Sequence, residues 1–494
     1  MGATPLDAFH RRVRIAALVV HAITAWFSSG YYAADEHYQV IAFAQHKLGE
    51  LPANELPWEY DARIRSAFLP GIAYGVIVAS RSSLTSNPLH IAFLLRLITA
   101  LVALAAVRSF IRSVIPRMND DLHKPFILLS YFLWFLPYQH VRFAVETWSG
   151  SLFLLGLAQL FAQRGSGWGT LLTGLCFGLS MQVKPAMAIA CAGIVGWLLM
   201  IDKARGSSML LLLVGMLAAS ALGLIVDRWF YGTFTSTLWN YAVLAVRGDP
   251  AHVFEPYPWY VYVPWLMKYG IWPIGILLMV AFAWLSYRRP RSWVVWCVWP
   301  YLIALSLIQH KEVRFLFPLV DLAPVVLVLT GQEVGNSIIR MIKHGAVLVP
   351  LMAINACSLV TASTTAAGSA RTRLAEALWA DRTRQARSIG YDMEDERIWK
   401  ARLPSFYLPA GMDDLAHADP CISAYDLPAT PLPDILVAQE SYGPGCTPES
   451  EGYRPIARSE SRLAAEILDL YNSERFRPFA LYAREARTSP PSEP

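Results

Sequence analysis

Long apolar runs recur throughout the first 362 residues, and this recurrence restricts the possible folds more than any other feature. A helix that crosses a bilayer needs roughly 20 apolar residues, so the shorter runs must extend into flanking Trp, Tyr and Arg residues. We therefore predict an all-α polytopic membrane protein with about eleven spans. The runs lie at about 13–31, 91–115, 125–137, 144–163, 168–180, 185–201, 208–226, 263–286, 293–308, 314–330 and 345–362.

Composition and charge point the same way. Hydrophobic residues make up 55% of the 494 residues and charged residues only 16%, which excludes an ordinary soluble domain. The net charge of +5 comes from short basic connectors, with no basic stripe that would indicate a nucleic-acid partner. The first run follows Arg11, Arg12 and Arg14 and lacks a small-residue cleavage site, so we expect a signal anchor with a cytoplasmic N-terminus.

One further apolar stretch, Phe68 to Ala79, is short and contains Pro70, Gly71 and Gly75. We expect a re-entrant or interfacial helix here and no crossing. With this helix left out, the basic connectors fall on the cytoplasmic side. The long first loop 32–90, the connectors 138–143, 227–262 and 309–313, and everything after about 363 then share the opposite face. We predict a membrane domain at 1–363 whose site faces away from the cytoplasm.

After residue 363 the chain becomes richer in Pro, Asp, Glu, Arg and Ser. We predict a small soluble, non-cytoplasmic domain of mixed α/β structure at 364–494, ending in a disordered tail. On an oxidising face, Cys421 and Cys446 could form one disulfide. Within this domain the pattern predicts a helix over Arg371–Arg387, a strand over Asp434–Gln439 and a helix over Ser459–Phe476.

A cluster of charge, Gln309 to Phe315, lies between two apolar runs. Ionisable groups at a membrane edge are costly unless they are paired, hydrated or bound to a ligand, so the cluster indicates a site. An interfacial salt-bridge group that only fixes the spans is the alternative. Arginine and lysine suit phosphate oxygens. The candidate phosphate ligands are His310, Lys311 and Arg314, followed by Arg65, and Glu312 would orient one of the cations.

Two adjacent carboxylates, Asp35 and Glu36, follow the first run. A solvated helix-end charge is the plain interpretation. The functional interpretation is a general base beside the bilayer that removes the proton of a hydroxyl acceptor. Neighbouring carboxylates raise one another's proton affinity, which would improve one of them as a base near neutral pH. The sequence leaves open which of the two it is.

Other candidates are weaker. Asp227 and Arg228, at the end of a run, are either a helix-end ion pair or residues that support the site. Trp259 and Tyr260 are either interfacial belt aromatics or a stacking surface for sugar. Lys184, at the start of a run, is expected to extend its ammonium group towards water rather than to bind a ligand.

Taken in order, several of these elements resemble the family of mannosyltransferases that use dolichyl-phosphate mannose, glycosyltransferase family 22. This family includes the mannosyltransferases of GPI-anchor and N-glycan assembly. The resemblance covers most of the first 320 residues, and the His-Lys-Glu-x-Arg-Phe element is its most specific part. The matching elements are Asp35-Glu36-His37-Tyr38-Gln39, Trp58-Glu59-Tyr60, Ile64-Arg65-Ser66 with Pro70, Asp227 to Gly232 with Trp239-Asn240, Pro258-Trp259-Tyr260 and His310 to Phe315.

Some positions depart from the family pattern. Tyr257 stands where the family usually has the His of His-Pro-Trp, and only Gln182 remains of an Arg-Phe-Gln element. The segment Arg142 to Thr147 keeps an Arg and a Glu of another family element but lacks its Asn. These departures bear on the identity of the acceptor more than on the type of reaction.

The resemblance implies a GT-C-type fold and an inverting glycosyltransferase. Mannose would move from a polyprenyl-phosphate, dolichyl-phosphate-like donor to a hydroxyl of a lipid-linked or envelope glycan. Asp35 would be the base, with Glu36 as its possible substitute. The expected partners are the donor, a glycan or glycolipid acceptor and membrane lipid. No cofactor is required, although one Mg²⁺ is compatible with the site.

Two other classes stay open. A flippase or transporter for lipid-linked sugar would bind phosphate with the same cations and do no chemistry. A non-catalytic subunit of a glycan-assembly complex would leave the activity of that complex normal in an Asp35→Asn variant. Transporters often contain repeated halves, and the sequence shows none, which favours an enzyme. The membrane would be a bacterial inner membrane with the site facing the periplasm, or the endoplasmic reticulum with the site facing the lumen.

Overall fold

The computed structural model consists mostly of helices. Its larger compact unit comprises Met1–Ser28, Ala33–Leu84 and Phe93–Thr364, and its smaller unit comprises Ser29–Tyr32, Thr85–Ala92 and Thr365–Pro494. The structure describes residues 4–163, 165–247, 256–334, 344–367, 369–380, 386–392, 402–409, 411–415, 432–439, 448–458 and 479–484. The predicted helix at Ser459–Phe476, the C-terminal tail, Cys421 and Cys446 lie outside these residues.

The larger unit begins with α1, whose N-terminus is capped by Thr4 and Asp7, each side chain bonding the other's backbone N–H. The first helices are α1 Pro5–Phe27, α2 Ala42–Lys47, α3 Phe68–Ser83, α4 Pro88–Val114, α5 Asp120–Phe132, α6 Phe135–Val141, α7 Val145–Ala162, α8 Gly167–Val183 and α9 Met187–Met200. The later ones are α10 Gly206–Tyr231, α11 Thr237–Arg247, α12 Tyr262–Tyr269, α13 Trp272–Arg288, α14 Trp293–Leu307, α15 Ala323–Glu333 and α16 Gly345–Thr364.

Within the described residues, four helical segments are long and apolar enough to cross a membrane, judged by length and composition. They are Pro88–Arg117, Gly206–Tyr231, Val313–Glu333 and Gly345–Thr364. Three shorter apolar helices, Met187–Met200, Trp272–Arg288 and Trp293–Leu307, accompany them. The predicted number of eleven spans stays a prediction.

Glycines allow close helix packing where α8 meets α10. A Cβ built at Gly174 would lie 2.0 Å from the backbone oxygen of Leu212, and one built at Gly215 would lie 2.2 Å from that of Leu171. Close backbone approach through small residues is the usual way for apolar helices to associate when no water has to be expelled. The same two helices carry Gln182 and Asp227 near their ends.

The sequence predicted single helices at three places where the structure has two. The run at 125–137 breaks between α5 and α6, where Asn355 of α16 accepts a hydrogen bond from the Trp134 N–H at 3.0 Å and donates to the Phe132 carbonyl at 2.9 Å. A distant side chain therefore satisfies the backbone at the break. The run at 263–286 is interrupted before α13 at Ile271, whose φ is 61°.

The third split is at 314–330, which begins as a 3₁₀-helix, Val313–Leu322, before α15. Pro318 lies inside this 3₁₀-helix and has no N–H to donate. The helix packs closely on α7, because a Cβ at Gly150 would lie 2.6 Å from the Pro318 carbonyl oxygen. Gly150 thus allows the close approach of the segment that carries Arg314.

The smaller unit contains helix α17, Ser369–Leu378, and a five-stranded sheet of order β2-β1-β3-β5-β4. Strand β1 runs parallel to β2 and β3, whereas β5 runs antiparallel to β3 and β4. The predicted strand at Asp434–Gln439 is confirmed as β3, but the helix predicted over Arg371–Arg387 ends at Leu378. The strands are β1 Ser388–Asp392, β2 Asp413–Leu415, β3 Ile435–Gln439, β4 Tyr453–Arg458 and β5 Phe479–Arg484.

Candidate functional site

The segment that carries the two carboxylates follows the end of α1. Asp35 and Glu36 form the first helical turn ahead of a π-helix, His37–Ile41, which continues into α2. Four of the five residues of the π-helix are buried, and Gln39 donates a hydrogen bond from its Nε2 to Glu59 Oε1 at 2.8 Å. Single π-turns of this kind are frequent at functional sites because they turn side chains out of the ordinary helical register.

The basic cluster follows the end of α14, and its backbone is extended at Glu312 before the 3₁₀-helix begins. Tyr301 of α14 donates its hydroxyl to the Phe315 carbonyl at 2.8 Å, which ties the 3₁₀-helix to α14. Arg314 is the second residue of this helix, and its side chain is only 10% exposed. Its guanidinium is therefore held in a position set by packing, not by solvent.

Arg314 joins the two predicted parts of the site. Its Nη1 donates to Asp35 Oδ2 at 2.7 Å, across 279 positions of sequence. Its Nε and Nη2 donate to the two carboxylate oxygens of Glu312, each at 2.6 Å. The guanidinium fork thus bridges two carboxylates, a geometry that lysine cannot reproduce. The carboxylate segment and the basic cluster meet at one place.

Glu312 also accepts a hydrogen bond from His310 Nε2 at 2.9 Å. Burial by itself raises the pKa of Glu312, but hydrogen bonds and charge from Arg314, and then from His310, outweigh it and bring the pKa below its ordinary value of 4.5. Glu312 is therefore an ionised partner of Arg314 that also accepts a hydrogen bond from His310.

The Lys311 side chain contacts main-chain carbonyls instead of the carboxylates that bind Arg314. Its Nζ donates to the carbonyl oxygens of Ile308 and of Tyr257, the latter at 3.0 Å, and its side chain is buried. The Tyr257 N–H in turn donates to the Gln309 carbonyl at 3.1 Å. Lys311 therefore fastens the basic cluster to the segment that precedes Trp259. Its ammonium is engaged by main-chain carbonyls rather than by Asp35.

The two carboxylates have different surroundings. Glu36 is 3.4 Å from Arg142 Nε, and its side chain is 10% exposed, whereas the Asp35 side chain is 28% exposed. Arg142 also donates from Nη2 to the Ser28 carbonyl at 3.1 Å, beside the end of α1. Asp35 is thus the more open of the two, and Glu36 is the more enclosed.

Arg65 lies in the loop before α3, and its Nη2 is 3.3 Å from Glu59 Oε1. Its carbonyl accepts a hydrogen bond from the Tyr231 hydroxyl at 2.8 Å. Arg65 also acts electrostatically on Lys184, so these two cations belong to one charged region. The side chain of Arg65 is about one-quarter exposed.

Sequence reasoning missed a buried ion pair next to Arg314. Lys184 Nζ lies 2.7 Å from Glu146 Oε1 and 5.2 Å from the centre of the Phe315 ring. The prediction that Lys184 extends towards water is therefore wrong, because its ammonium is held by a buried carboxylate. Glu146 also interacts electrostatically with Arg314. The Arg and Glu of the Arg142 to Thr147 segment were the available signal.

Asp227 and Arg228 have separate partners. The Asp227 carboxylate is buried and accepts hydrogen bonds from the Ala67 N–H at 2.9 Å and the Thr237 hydroxyl at 2.7 Å. It thereby caps the starts of both α3 and α11. Arg228 stacks its guanidinium 3.9 Å from the centre of the Phe234 ring. The helix-end ion pair predicted as the alternative does not form between these two described side chains.

Trp259 and Tyr260 lie just before α12 with their rings 5.7 Å apart and edge to face. Trp259 is 71% exposed and Tyr260 53% exposed. Exposed aromatic faces suit both a lipid interface and a sugar. Among the described residues, no group of three or more His, Cys, Asp or Glu side chains is arranged to hold a metal ion.

Solved structures define the class of fold. The chain is similar to ArnT from Cupriavidus metallidurans bound to undecaprenyl phosphate, with a TM-score of 0.54 and 12% identity over 97% of this chain and 99% of that one. The apo form of the same protein gives a TM-score of 0.51. The predicted GT-C-type fold is confirmed, and the chain is a multi-pass membrane protein.

Sequence comparison defines the family. The model of the Alg9-like mannosyltransferase family matches residues 13–380, and the chain belongs to this family. It is 24% identical to GPI mannosyltransferase 3 of Candida albicans over 61% of this chain and 59% of that protein. It is 22% identical to GPI alpha-1,2-mannosyltransferase 3 of Bos taurus over 62% of this chain and 55% of that protein. The chain thus spans a little over half the length of these relatives.

Proposed function

We propose that this protein is an integral-membrane mannosyltransferase. It transfers mannose from a polyprenyl-phosphate donor to a hydroxyl of a lipid-linked or envelope glycan, with inversion at the anomeric carbon. Family membership supports the reaction class, and the structural similarity to ArnT bound to undecaprenyl phosphate supports a polyprenyl-phosphate ligand. The single observation that carries the proposal is the 2.7 Å contact between Arg314 and Asp35, because it brings a cation for the phosphate beside a base for the acceptor.

In the proposed reaction the acceptor oxygen forms a bond to the anomeric carbon as the bond from that carbon to the phosphate oxygen breaks. The proton of the acceptor hydroxyl passes to Asp35, and the electron pair of the broken bond leaves with the phosphate. Arg314 stabilises the charge that grows on the phosphate, supported by Arg65 and His310. Asp35 is preferred to Glu36 because its side chain is 28% rather than 10% exposed.

The ion pair between Arg314 and Asp35 also provides an order of events. An arginine-bound carboxylate is a weak base, since the cation favours its ionised form. The donor phosphate competes for Nη1 of Arg314, and its arrival releases Asp35 to accept a proton. Glu312 keeps the other two guanidinium nitrogens in place during this exchange. Donor binding therefore activates the base.

The remaining residues have supporting roles in the proposal. Lys311 holds the basic cluster to the Tyr257 segment through main-chain carbonyls, which favours a holding role over direct phosphate contact. Asp227 organises the starts of α3 and α11, and Trp259 with Tyr260 offers a stacking surface at the site. The proposal requires no metal ion, because cations of the protein neutralise the phosphate, and it leaves room for one Mg²⁺.

The site is proposed to face away from the cytoplasm, towards a bacterial periplasm or the lumen of the endoplasmic reticulum. A flippase with the same phosphate-binding cations gains no support from the family or the fold. The same holds for a non-catalytic subunit. Both alternatives differ from the enzyme in one outcome, which is the formation of a glycosidic product.

The deciding experiment is the Asp35→Asn substitution. Purified protein is incubated with radiolabelled polyprenyl-phosphate mannose and a panel of lipid-linked acceptors, in EDTA and in Mg²⁺. We expect product with the wild type in both buffers, a rate reduced roughly 10²- to 10⁴-fold in Asp35→Asn, and donor binding retained. Asp61→Asn, an exposed carboxylate of the same loop, is the matched control and should keep the wild-type rate. Full activity of Asp35→Asn would refute the proposal.

A further inference from the structure

Three titratable side chains outside the proposed site form a buried chain of hydrogen bonds. They are His21 of α1, His140 of α6 and Asp321 of the 3₁₀-helix. His21 Nε2 is 3.0 Å from His140 Nδ1, and His140 Nε2 is 2.7 Å from Asp321 Oδ1. Both histidines are 1% exposed. Nothing in the proposed reaction uses these groups, and polar groups buried this deeply are costly unless they are fully paired.

The proton positions follow from one main-chain contact. His21 Nδ1 lies 2.7 Å from the Ala17 carbonyl oxygen, which can only accept, so Nδ1 carries a proton. A neutral His21 then has an unprotonated Nε2, and His140 must donate to it from Nδ1. A charged His21 is disfavoured because it would have no carboxylate of its own. His140 Nε2 is joined to Asp321 Oδ1 by the other hydrogen bond, so all four ring nitrogens have a partner.

The three elements joined by this chain are those that lead to the site. Helix α1 runs into the segment with Asp35. Helix α6 ends at Val141, next to Arg142, which contacts Glu36. Asp321 belongs to the same ten-residue 3₁₀-helix as Arg314. A side-chain bond at Asp321 therefore resists rotation and sliding of the helix that presents Arg314.

The 3₁₀-helix needs such a constraint. Its hydrogen-bond geometry is poorer than that of an α-helix, and runs longer than three or four residues are uncommon. Pro318 removes a further donor from its middle. Packing of Gly150 on the Pro318 carbonyl limits the distance of the helix from α7 but leaves rotation about its axis. The bond from Asp321 to His140 limits that rotation.

We propose that the pair His140–Asp321, oriented by His21, is a positioning device that sets the place of Arg314 relative to Asp35. This inference rests on the proposed function. Asp321 touches no reacting atom, and its effect on the reaction passes through Arg314. A displacement of about 1 Å in a catalytic arrangement can cost roughly 100-fold in rate, so a constraint of this kind has a measurable consequence.

The first test compares Asp321→Leu with Asp321→Asn in the full-length protein. The amide can still bond a neutral His140, whereas leucine cannot. We expect Asp321→Leu to lower kcat roughly 10- to 100-fold and Asp321→Asn to restore most of the rate. His10→Phe is the matched control, because His10 is another buried histidine of α1, bonded to the Tyr131 hydroxyl at 3.1 Å. It should keep the wild-type kcat. Equal kcat values in Asp321→Leu and the wild type would overturn the proposal.

The second test asks whether Asp321 acts through Arg314. If it does, the double variant Asp321→Leu, Arg314→Lys loses no more activity than Arg314→Lys alone, since the same interaction is already lost. Losses that multiply would show an independent structural role and would overturn the proposal. Should the wild type transfer no mannose, the proposed function fails. The wild type, Asp321→Leu, Arg314→Lys and the double variant are then compared by their affinity for polyprenyl phosphate. The same non-additivity is expected, and additive losses of binding free energy overturn the proposal.

Discussion

Arg314→Lys is the substitution that probes the site most directly. The guanidinium makes three charge-assisted hydrogen bonds, two to Glu312 at 2.6 Å and one to Asp35 at 2.7 Å. An ammonium at the same place is a point charge that cannot bridge both carboxylates, so we expect two of the three bonds to be lost. Each such bond contributes about 1.5–3 kcal/mol when buried.

The expected loss of free energy of unfolding is smaller than the sum of two such bonds, because their partners are partly exposed to water. The side chains of Asp35 and Glu312 are 28% and 32% exposed, and water screens part of what they lose. We therefore expect the free energy of unfolding to fall by about 2 kcal/mol. Loss of phosphate stabilisation in the transition state should lower kcat by roughly 10²- to 10³-fold, which corresponds to about 2.7–4 kcal/mol.

Two assays on the same detergent-solubilised protein test this expectation. Thermal unfolding reports the stability, and transfer from radiolabelled polyprenyl-phosphate mannose reports kcat. Arg81→Lys is the matched control, since Arg81 pairs with Glu50 through side chains that are 36% and 34% exposed. It should change the free energy of unfolding by less than about 1 kcal/mol and leave kcat unchanged. A wild-type kcat in Arg314→Lys would refute the assignment of the phosphate to Arg314.

Two further predictions concern neighbours of Arg314. Lys311→Met leaves the Ile308 and Tyr257 carbonyls without their donor. We therefore expect the free energy of unfolding to fall by about 2–3 kcal/mol and the donor KM to change less than tenfold. A donor KM raised roughly 100-fold at unchanged stability would instead indicate direct phosphate contact. Because the folded-state pKa of Glu312 lies below 4.5, its contribution to stability is complete above that pH and is lost as the pH falls through the folded-state value. In Glu312→Gln the free energy of unfolding, followed by fluorescence, should therefore fall less steeply with decreasing pH below about pH 4.5 than in the wild type. The same pH dependence in both proteins would contradict the assigned pairing.

The helical membrane architecture could be predicted from local pattern. Within an apolar medium each backbone N–H and C=O must be satisfied inside its own segment, so a long apolar run becomes a helix whatever surrounds it. The predicted runs at 91–115, 208–226 and 345–362 accordingly correspond to α4, α10 and α16. The residues of the candidate site could likewise be proposed one at a time, because Asp35 and Arg314 stand in short motifs next to such runs.

Breaks within helices could not be predicted, because their cause lies far away in the chain. Asn355 satisfies the backbone between α5 and α6 from a helix more than 200 positions later. Nothing in the segment 125–137 itself indicates that a distant side chain supplies a donor and an acceptor at this point. Local pattern decides whether a helix is favourable, and a distant partner decides where it can be interrupted.

The pairing of charges also required the tertiary structure. Asp227 and Arg228 are adjacent in sequence but bind Thr237 and Phe234 instead of each other, and Lys184 finds Glu146 on the neighbouring helix. A charge removed from water is stable only beside a complementary group, and that group is supplied by whichever element packs against it. Residue types and their order were therefore enough to indicate the chemistry and the family. Packing alone established that Arg314 meets Asp35 and that the two buried histidines lead to Asp321.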